Sequence, residues 1–237
     1  HEYSLRAALA QMNPLVGDIR GNSRKIISWI HRAKKQQADI IIFPELALTG
    51  YPPEDLLLKR QFMHETNTCL KKITESIHGI TAIIGFPHQQ DTQLYNAAAI
   101  IGPTGTAHIY HKMCLPNYSV FDEKRYFTPG NTVTVFSLAG FRMSLNICED
   151  LWDPAGPVSV QADLGIDLLI NISASPFDYK KTHDRKMLVQ KCVKKYHIPM
   201  IYLNLVGGQD ELVFDGSSFI IDTQGTTQAQ LPFCQEI

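Results

Sequence analysis

Three residue types that together perform acyl transfer stand at the ends of three apolar runs in this sequence. Glu45 follows Ile40-Ile41-Ile42-Phe43-Pro44, Lys112 follows Thr106-Ala107-His108-Ile109-Tyr110-His111, and Cys148 follows Phe141-Arg142-Met143-Ser144-Leu145-Asn146-Ile147. A thiol supplies a nucleophile, a carboxylate a base, and a lysine a cationic partner for a developing oxyanion. Taken singly, each has a plainer reading. A carboxylate in Glu45's place equally caps the next turn, a lysine at a strand end is usually a solvated edge charge, and a free cysteine is more often a small buried hydrophobe. Their joint occurrence is the signal, because ligands of open α/β sheets bind beyond the carboxyl ends of strands. Apolar surroundings suit Glu45 to proton transfer, and Cys148 stands where strand turns to loop, beside Glu149 and Asp150.

The elements that position these residues follow from periodicity. Short apolar runs bounded by Gly, Pro and Asp predict strands at Leu5–Met12, Asp39–Phe43, Thr81–Phe86, Asn96–Ile101, Thr106–Met113, Thr132–Leu138, Phe141–Ile147, Asp167–Ile172, Met200–Val206 and Ser217–Asp222. Helical spacing lies between them. Asn22 is placed to cap a helix carrying Ile26, Ile30 and Ala33 on one face; a second carries Phe62, Thr66, Cys69, Ile73 and Ile77; a third runs from about Asp178 to Tyr196. Gly102-Pro103-Thr104-Gly105 and Ala139-Gly140 read as hairpin turns. The expectation is an α/β domain with mixed sheets and helices on their outer faces. Tyr51–Asp55 and Cys114–Thr128 read as long loops, which in compact domains often bind ligands.

The 237 residues, 44% of them hydrophobic, suit one large core, and no linker or repeat divides them, so a single domain over 1–237 is expected. A formal net charge of -1 leaves no electrostatic footprint for nucleic acid or an anionic membrane. The five cysteines are irregularly spaced, without a CxxC pair or zinc-ligand spacing, so no metal is expected and a reducing cytoplasm is the simplest compartment. No apolar stretch is long enough for a membrane span and no leader pattern opens the sequence, which predicts a soluble, unexported protein. His108 and His111, three apart on a strand, face opposite sides and make a poor metal pair. Val206-Gly207-Gly208-Gln209-Asp210-Glu211 has the paired glycines of an anion nest, but its two carboxylates argue against phosphate.

Phe43-Pro44-Glu45-Leu46, Tyr110-His111-Lys112 and Asn146-Ile147-Cys148-Glu149-Asp150 together resemble the Glu-Lys-Cys motifs of the nitrilase, or carbon-nitrogen hydrolase, superfamily, in that family's order. The continuations Leu48-Thr49-Gly50-Tyr51-Pro52-Pro53-Glu54-Asp55-Leu56-Leu57 and Leu115–Phe127, with Leu203–Ser218, are similar to the glutaminase part of glutamine-dependent NAD synthetases. The resemblance runs from about Leu5 to Asp222. It implies a four-layer α-β-β-α sandwich with the triad at one rim and a second glutamate beside it, matched by Glu123. It also implies substrate contacts at Tyr118, Glu149 and Ser175. Where the subfamily carries a basic element after Ser175-Pro176, this sequence has Tyr179-Lys180-Lys181-Thr182, which brings Lys181 forward.

What the resemblance implies for function is hydrolysis of the side-chain amide of L-glutamine through a glutamyl thioester on Cys148, without a cofactor in this domain. The ammonia would serve amidation of deamido-NAD in a synthetase domain using ATP and Mg. That domain's Ser-Gly-Gly-x-Asp-Ser loop is not among these residues, so it is an expected partner, as is a second copy of the chain in a homo-oligomer. Three rivals share the sequence evidence. A stand-alone ω-amidase or nitrilase would use the same triad on another small amide or nitrile. A cysteine-histidine hydrolase would use His111 or His183, and a non-catalytic interaction module would use only the fold.

Overall fold

Ile40, Ile41 and Ile42 alternate between two cores, and that alternation carries the architecture. Ile40 and Ile42 face a core shared with Met143, Leu145, Ile147, Ile170, Ile172, Ile201 and Leu203. Ile41 faces outward to a second core with Ile26, Ile30, Phe62, Cys69 and Ile73 from two helices. A third core sets Val158, Val189 and Val193 against Leu169, Met200, Tyr202 and Phe219. The result is four layers, helix–sheet–sheet–helix, in a computed structural model that describes residues 4–237 apart from the side chain of Thr182.

The first sheet orders β1 (Ala7–Leu9), β2 (Ile40–Ile42), β3 (Thr81–Gln90), β4 (Gln93–Gly102) and β5 (Gly105–His111), covered by α1 (Ile19–Lys35) and α2 (Arg60–Ser76). β1, β2 and β3 run parallel, and β4 and β5 return antiparallel. The second sheet takes β6 (Val135–Leu138), β7 (Phe141–Ile147), β8 (Leu168–Ser173), β9 (Met200–Asn204), β12 (Phe219–Ile221) and β13 (Thr227–Gln230) in the order β13-β12-β9-β8-β7-β6. α3 (Val158–Asp163) and α4 (Lys181–Tyr196) cover it, and β10 (Val206–Gln209) with β11 (Leu212–Asp215) forms a separate hairpin. Because β2, β3 and β5 share a direction, the ends of β2 and β5 meet at one rim.

Several details differ from the expectations. Asp18, not Asn22, caps α1, accepting the Gly21 N–H at 2.8 Å. Asn22 is buried one turn later, where its amide pairs with both backbone groups of Leu15 and with the Leu48 carbonyl. The run Met200–Val206 breaks after Asn204, and Val206 opens a hairpin whose polar turn and two glycines carry no strand signal. β3 continues past Phe86 through Pro87, tolerated because β2 pairs only with Thr81–Ile83 and leaves that edge open. The two hairpin turns read from the sequence are present, and Ala139 and Gly140 both take positive φ, 52° and 86°, as a two-residue turn between twisted strands requires.

Candidate active site

Glu45, Lys112 and Cys148 come together at the rim between the sheets, all nearly inaccessible to solvent. Lys112 follows Tyr110 by two residues and so points into the inter-sheet space as Tyr110 does. Its Nζ donates to Glu45 Oε1 at 2.7 Å and to Glu123 Oε2 at 2.8 Å and Oε1 at 3.0 Å. Glu45 Oε2 accepts the backbone N–H of Ala174 at 2.7 Å, and Asn96 Nδ2 donates to Glu45 Oε1 and Glu123 Oε1 at 2.7 and 2.9 Å. The turn bearing Glu45 packs so closely on β3 that a Cβ at Gly85 would lie 2.2 Å from the Pro44 carbonyl oxygen. Only glycine fits there.

Cys148 opens a 3-10 turn, Cys148–Leu151, directly after β7, with φ of 43°. That left-handed conformation costs a non-glycine residue about 1–3 kcal/mol, and the surroundings must hold it. Asp150 does much of this. Its Oδ2 accepts from the Tyr110 hydroxyl at 2.6 Å and the Ile147 N–H at 3.0 Å, and its Oδ1 from the N–H groups of Met113 and Cys114 at 3.0 and 2.7 Å. One buried carboxylate thus ties the turn carrying Cys148 to the strand end carrying Lys112. On the other side Asn171 Nδ2 reaches the Cys148 carbonyl at 3.5 Å and Asn146 Oδ1 at 2.7 Å.

Burial and the neighbouring carboxylates set the charge states. Burial alone would discharge Lys112, but Glu123 and Glu45 outweigh it and hold the ammonium well above the ordinary lysine range. Burial raises the Glu123 carboxyl, opposed by Lys112. Burial, reinforced by the Glu45 carboxylate and opposed by Lys112, pushes the Cys148 thiol up to about 12. The resting sulfur is therefore a neutral thiol, and a base must take its proton before it attacks.

The residues expected around the substrate divide into two groups. Tyr118, Glu149 and Lys181 gather at the mouth: the Tyr118 hydroxyl donates to Glu149 Oε2 at 2.8 Å, its ring meets Phe121 edge-on, and Lys181 Nζ lies 5.7 Å from the Phe121 ring centre. Burial raises the Glu149 carboxyl, with Tyr118, Lys112 and Lys181 opposing. Ser175 is elsewhere. Its hydroxyl takes the Nε–H of Arg185 at 3.2 Å and its carbonyl accepts from Arg185 and Asn204, while of its neighbours the Ala174 N–H bonds Glu45 and the Ser173 side chain reaches Cys148. The sequence carries little local signal for Asn96 and Arg185, which sit in an ordinary strand and helix, whereas Asp150 belongs to the Asn146-Ile147-Cys148-Glu149-Asp150 motif.

Neither histidine of the rival hydrolase reading is placed with Cys148 by these bonds. His111 Nε2 meets His88 Nδ1 at 2.8 Å and its ring stacks on Tyr95, while His183 is exposed. His108 is exposed too. Among the described residues no three of His, Cys, Asp and Glu gather as a set able to hold a metal ion, and no helix is long and apolar enough to cross a membrane.

Comparison with known proteins gives consistent results. The carbon-nitrogen hydrolase family model matches residues 6–236. The glutamine-dependent NAD(+) synthetase of Thermotoga maritima is 42% identical over 93% of this chain and 39% of its own length, and that of Acinetobacter baylyi 40% identical over 98% and 43%. The chain thus spans about two fifths of the length of these relatives. Among solved structures, the glutamine-dependent NAD+ synthetase from Acinetobacter baumannii in complex with ADP superposes with a TM-score of 0.95 at 38% identity, covering 98% of this chain and 44% of that one. An amidase from Nesterenkonia sp. shares the fold, with a TM-score of 0.89 at 24% identity over 100% of this chain and 89% of its own. With a family model across nearly its whole length and relatives above a third identical, this chain belongs to the carbon-nitrogen hydrolase family.

Proposed function

We propose that this domain hydrolyses the side-chain amide of L-glutamine, with Cys148 as nucleophile, Glu45 as base, Lys112 as oxyanion partner and Glu123 holding Lys112 in place. The observation that carries the reading is the buried cluster in which one ammonium bridges two carboxylates beside a protonated thiol. Glu45 takes the thiol proton as sulfur attacks the amide carbon, and Lys112 with a backbone N–H holds the oxygen that becomes negative. The C–N bond breaks as Glu45 returns that proton to the leaving nitrogen, giving ammonia and a glutamyl thioester. Water then attacks the thioester, Glu45 takes its proton, and the C–S bond breaks to release glutamate and restore the thiol.

The choice of glutamine over other amides rests on the relatives' names and on the mouth, where Glu149, Tyr118 and Lys181 offer both charges to an amino-acid end. We assign Ser175 to the wall rather than to direct contact, since its hydroxyl is taken by Arg185. The ammonia would pass to an activated deamido-NAD formed with ATP and Mg in a synthetase part that these 237 residues do not include. A homo-oligomer is part of the same reading.

Intact-mass analysis after exposure to 6-diazo-5-oxo-norleucine tests the proposal. One adduct, mapped to Cys148, suppressed by excess glutamine and lost in Cys148→Ala, is expected. A folded protein labelled at another cysteine, or unprotected by glutamine, would sink it.

A further inference from the structure

Two carboxylates share one lysine in the buried cluster, and the Asn96 amide donates to both of them. Among the described residues Glu45 and Glu123 have no ion-pair partner except Lys112. Asn96 lies in β4, fully buried, and its backbone carbonyl accepts the Lys112 N–H at 2.8 Å, which fixes the strand end bearing that lysine. Its side-chain Nδ2 donates to Glu45 Oε1 and to Glu123 Oε1. Charge dictates this orientation, since the amide turned over would aim its carbonyl oxygen at two anionic oxygens. The orientation has a visible cost on the far side, where Asn96 Oδ1 is buried without a protein partner. An unpaired buried acceptor is unfavourable, so the two bonds to the carboxylates outweigh it.

We propose that Asn96 is a positioning residue that keeps Glu45 and Glu123 ionised together against one lysine, so that Glu45 is unprotonated when it must accept the Cys148 proton. The proposal rests on the amide-hydrolase reading above. The titratable groups facing the carboxylate pair are Lys112 at the end of β5, Tyr51, whose hydroxyl donates to Glu123 Oε2 at 3.2 Å, and Cys148; Glu149 and Asp150 also feel the Lys112 charge. Of these only Lys112 is cationic; the neutral donors are the Tyr51 hydroxyl on Glu123, the Ala174 N–H on Glu45 and the Asn96 amide, and of the three Asn96 bonds both carboxylates.

The test is the pH dependence of Cys148 modification by 6-diazo-5-oxo-norleucine, read by intact mass, in the wild-type chain and in Asn96→Ala, Asn96→Ser and Asn96→Ala/Glu123→Gln. Loss of both N–H bonds should move the acid limb of the rate profile up by about one pH unit, a tenfold slower reaction on the acid side. Asn96→Ser, which keeps one donor, should fall between. In the Glu123→Gln background the Asn96→Ala shift should shrink, because Asn96 then supports Glu45 alone and no longer holds two carboxylates side by side. A merely structural role would slow the reaction equally at every pH and in both backgrounds. An unmoved acid limb in a folded, reactive Asn96→Ala protein overturns the proposal alone. A wild-type Cys148 that never reacts overturns the reading of the site and the proposal with it. Should Asn96→Ala fail to fold, Glu123→Gln must restore folding by removing one of two opposed carboxylates; a double variant that also stays unfolded overturns the proposal.

Discussion

Two buried ion clusters lie a few residues apart in the chain's packing, and they are built on opposite principles. In the first, one ammonium, Lys112, serves two carboxylates, Glu45 and Glu123. In the second, Arg185 on α4 pairs with Asp215 on β11 at 2.7 Å and spends its remaining donors on the Ser175 hydroxyl and the carbonyls of Ser175 and Pro176. Both are almost wholly buried. The guanidinium is planar and makes four hydrogen bonds to fixed partners, so it acts as a rivet between the wall segment, α4 and the β10–β11 hairpin. The ammonium is a compact charge shared by two carboxylates beside a buried thiol, the cluster to which the proposed chemistry is assigned.

Substitutions that separate stability from turnover sharpen this contrast. Arg185→Met removes one partner of a buried ion pair together with the bonds to Ser175 and Pro176, and urea unfolding should show a loss of about 3–5 kcal/mol. The protein that remains folded should keep kcat for glutamine within tenfold; a loss of activity far exceeding the loss of folded protein would erase the distinction. Lys112→Ala is the mirror case, expected to lower kcat by roughly 10²–10³-fold, or about 2.7–4 kcal/mol of barrier. Near-normal steady-state turnover in that variant would remove Lys112 from the mechanism.

A smaller effect is expected at Asp150, which ties the Cys148 turn to the strand end bearing Lys112. Tyr110→Phe takes one hydroxyl from the Asp150 carboxylate, which still accepts three backbone N–H groups. Chemical denaturation should show a loss of about 1.5–3 kcal/mol. The smallest change concerns His111, beside the lysine but outside both clusters. Burial, then the neighbouring His88, lowers its pKa from 6.5 to about 4. Between those values the unfolded chain binds the proton and the folded one does not, so acidification from about 6.5 to about 4 should erode stability. Thermal melts across that range should show a shallower slope in His111→Asn, and an unchanged slope would place the titration elsewhere.

Legibility in the sequence followed the strength of local signals. The strand ends carrying Glu45, Lys112 and Cys148 were readable because each polar residue interrupts an apolar run, and α2 because Phe62, Thr66, Cys69 and Ile73 recur at helical spacing. The cap of α1 was misread because Asn22 and Asp18 are both capping residues, and only packing against Leu15 and Leu48 claims Asn22 for the interior. The β10–β11 hairpin escaped because its glycines and charges read as a loop. Asn96 escaped because one asparagine before an alanine run looks like a strand boundary, although β4 runs through it.

By itself the sequence determined the short apolar runs that form strands and the helical periods between them, hence an α/β domain with mixed sheets, and it placed a carboxylate, an amine and a thiol at three strand ends. Resemblance to a family added the four-layer sandwich and the second glutamate. What only the tertiary structure decided is everything that depends on distance between segments remote in the chain: that the three ends share one rim, that Asp150 joins two of them, that Asn96 bridges two carboxylates, and that Ser175 turns toward Arg185. Hydrophobic periodicity is local and survives in a linear reading. Hydrogen bonds and charge pairs across 10 to 129 residues of chain exist only after folding has brought their partners together.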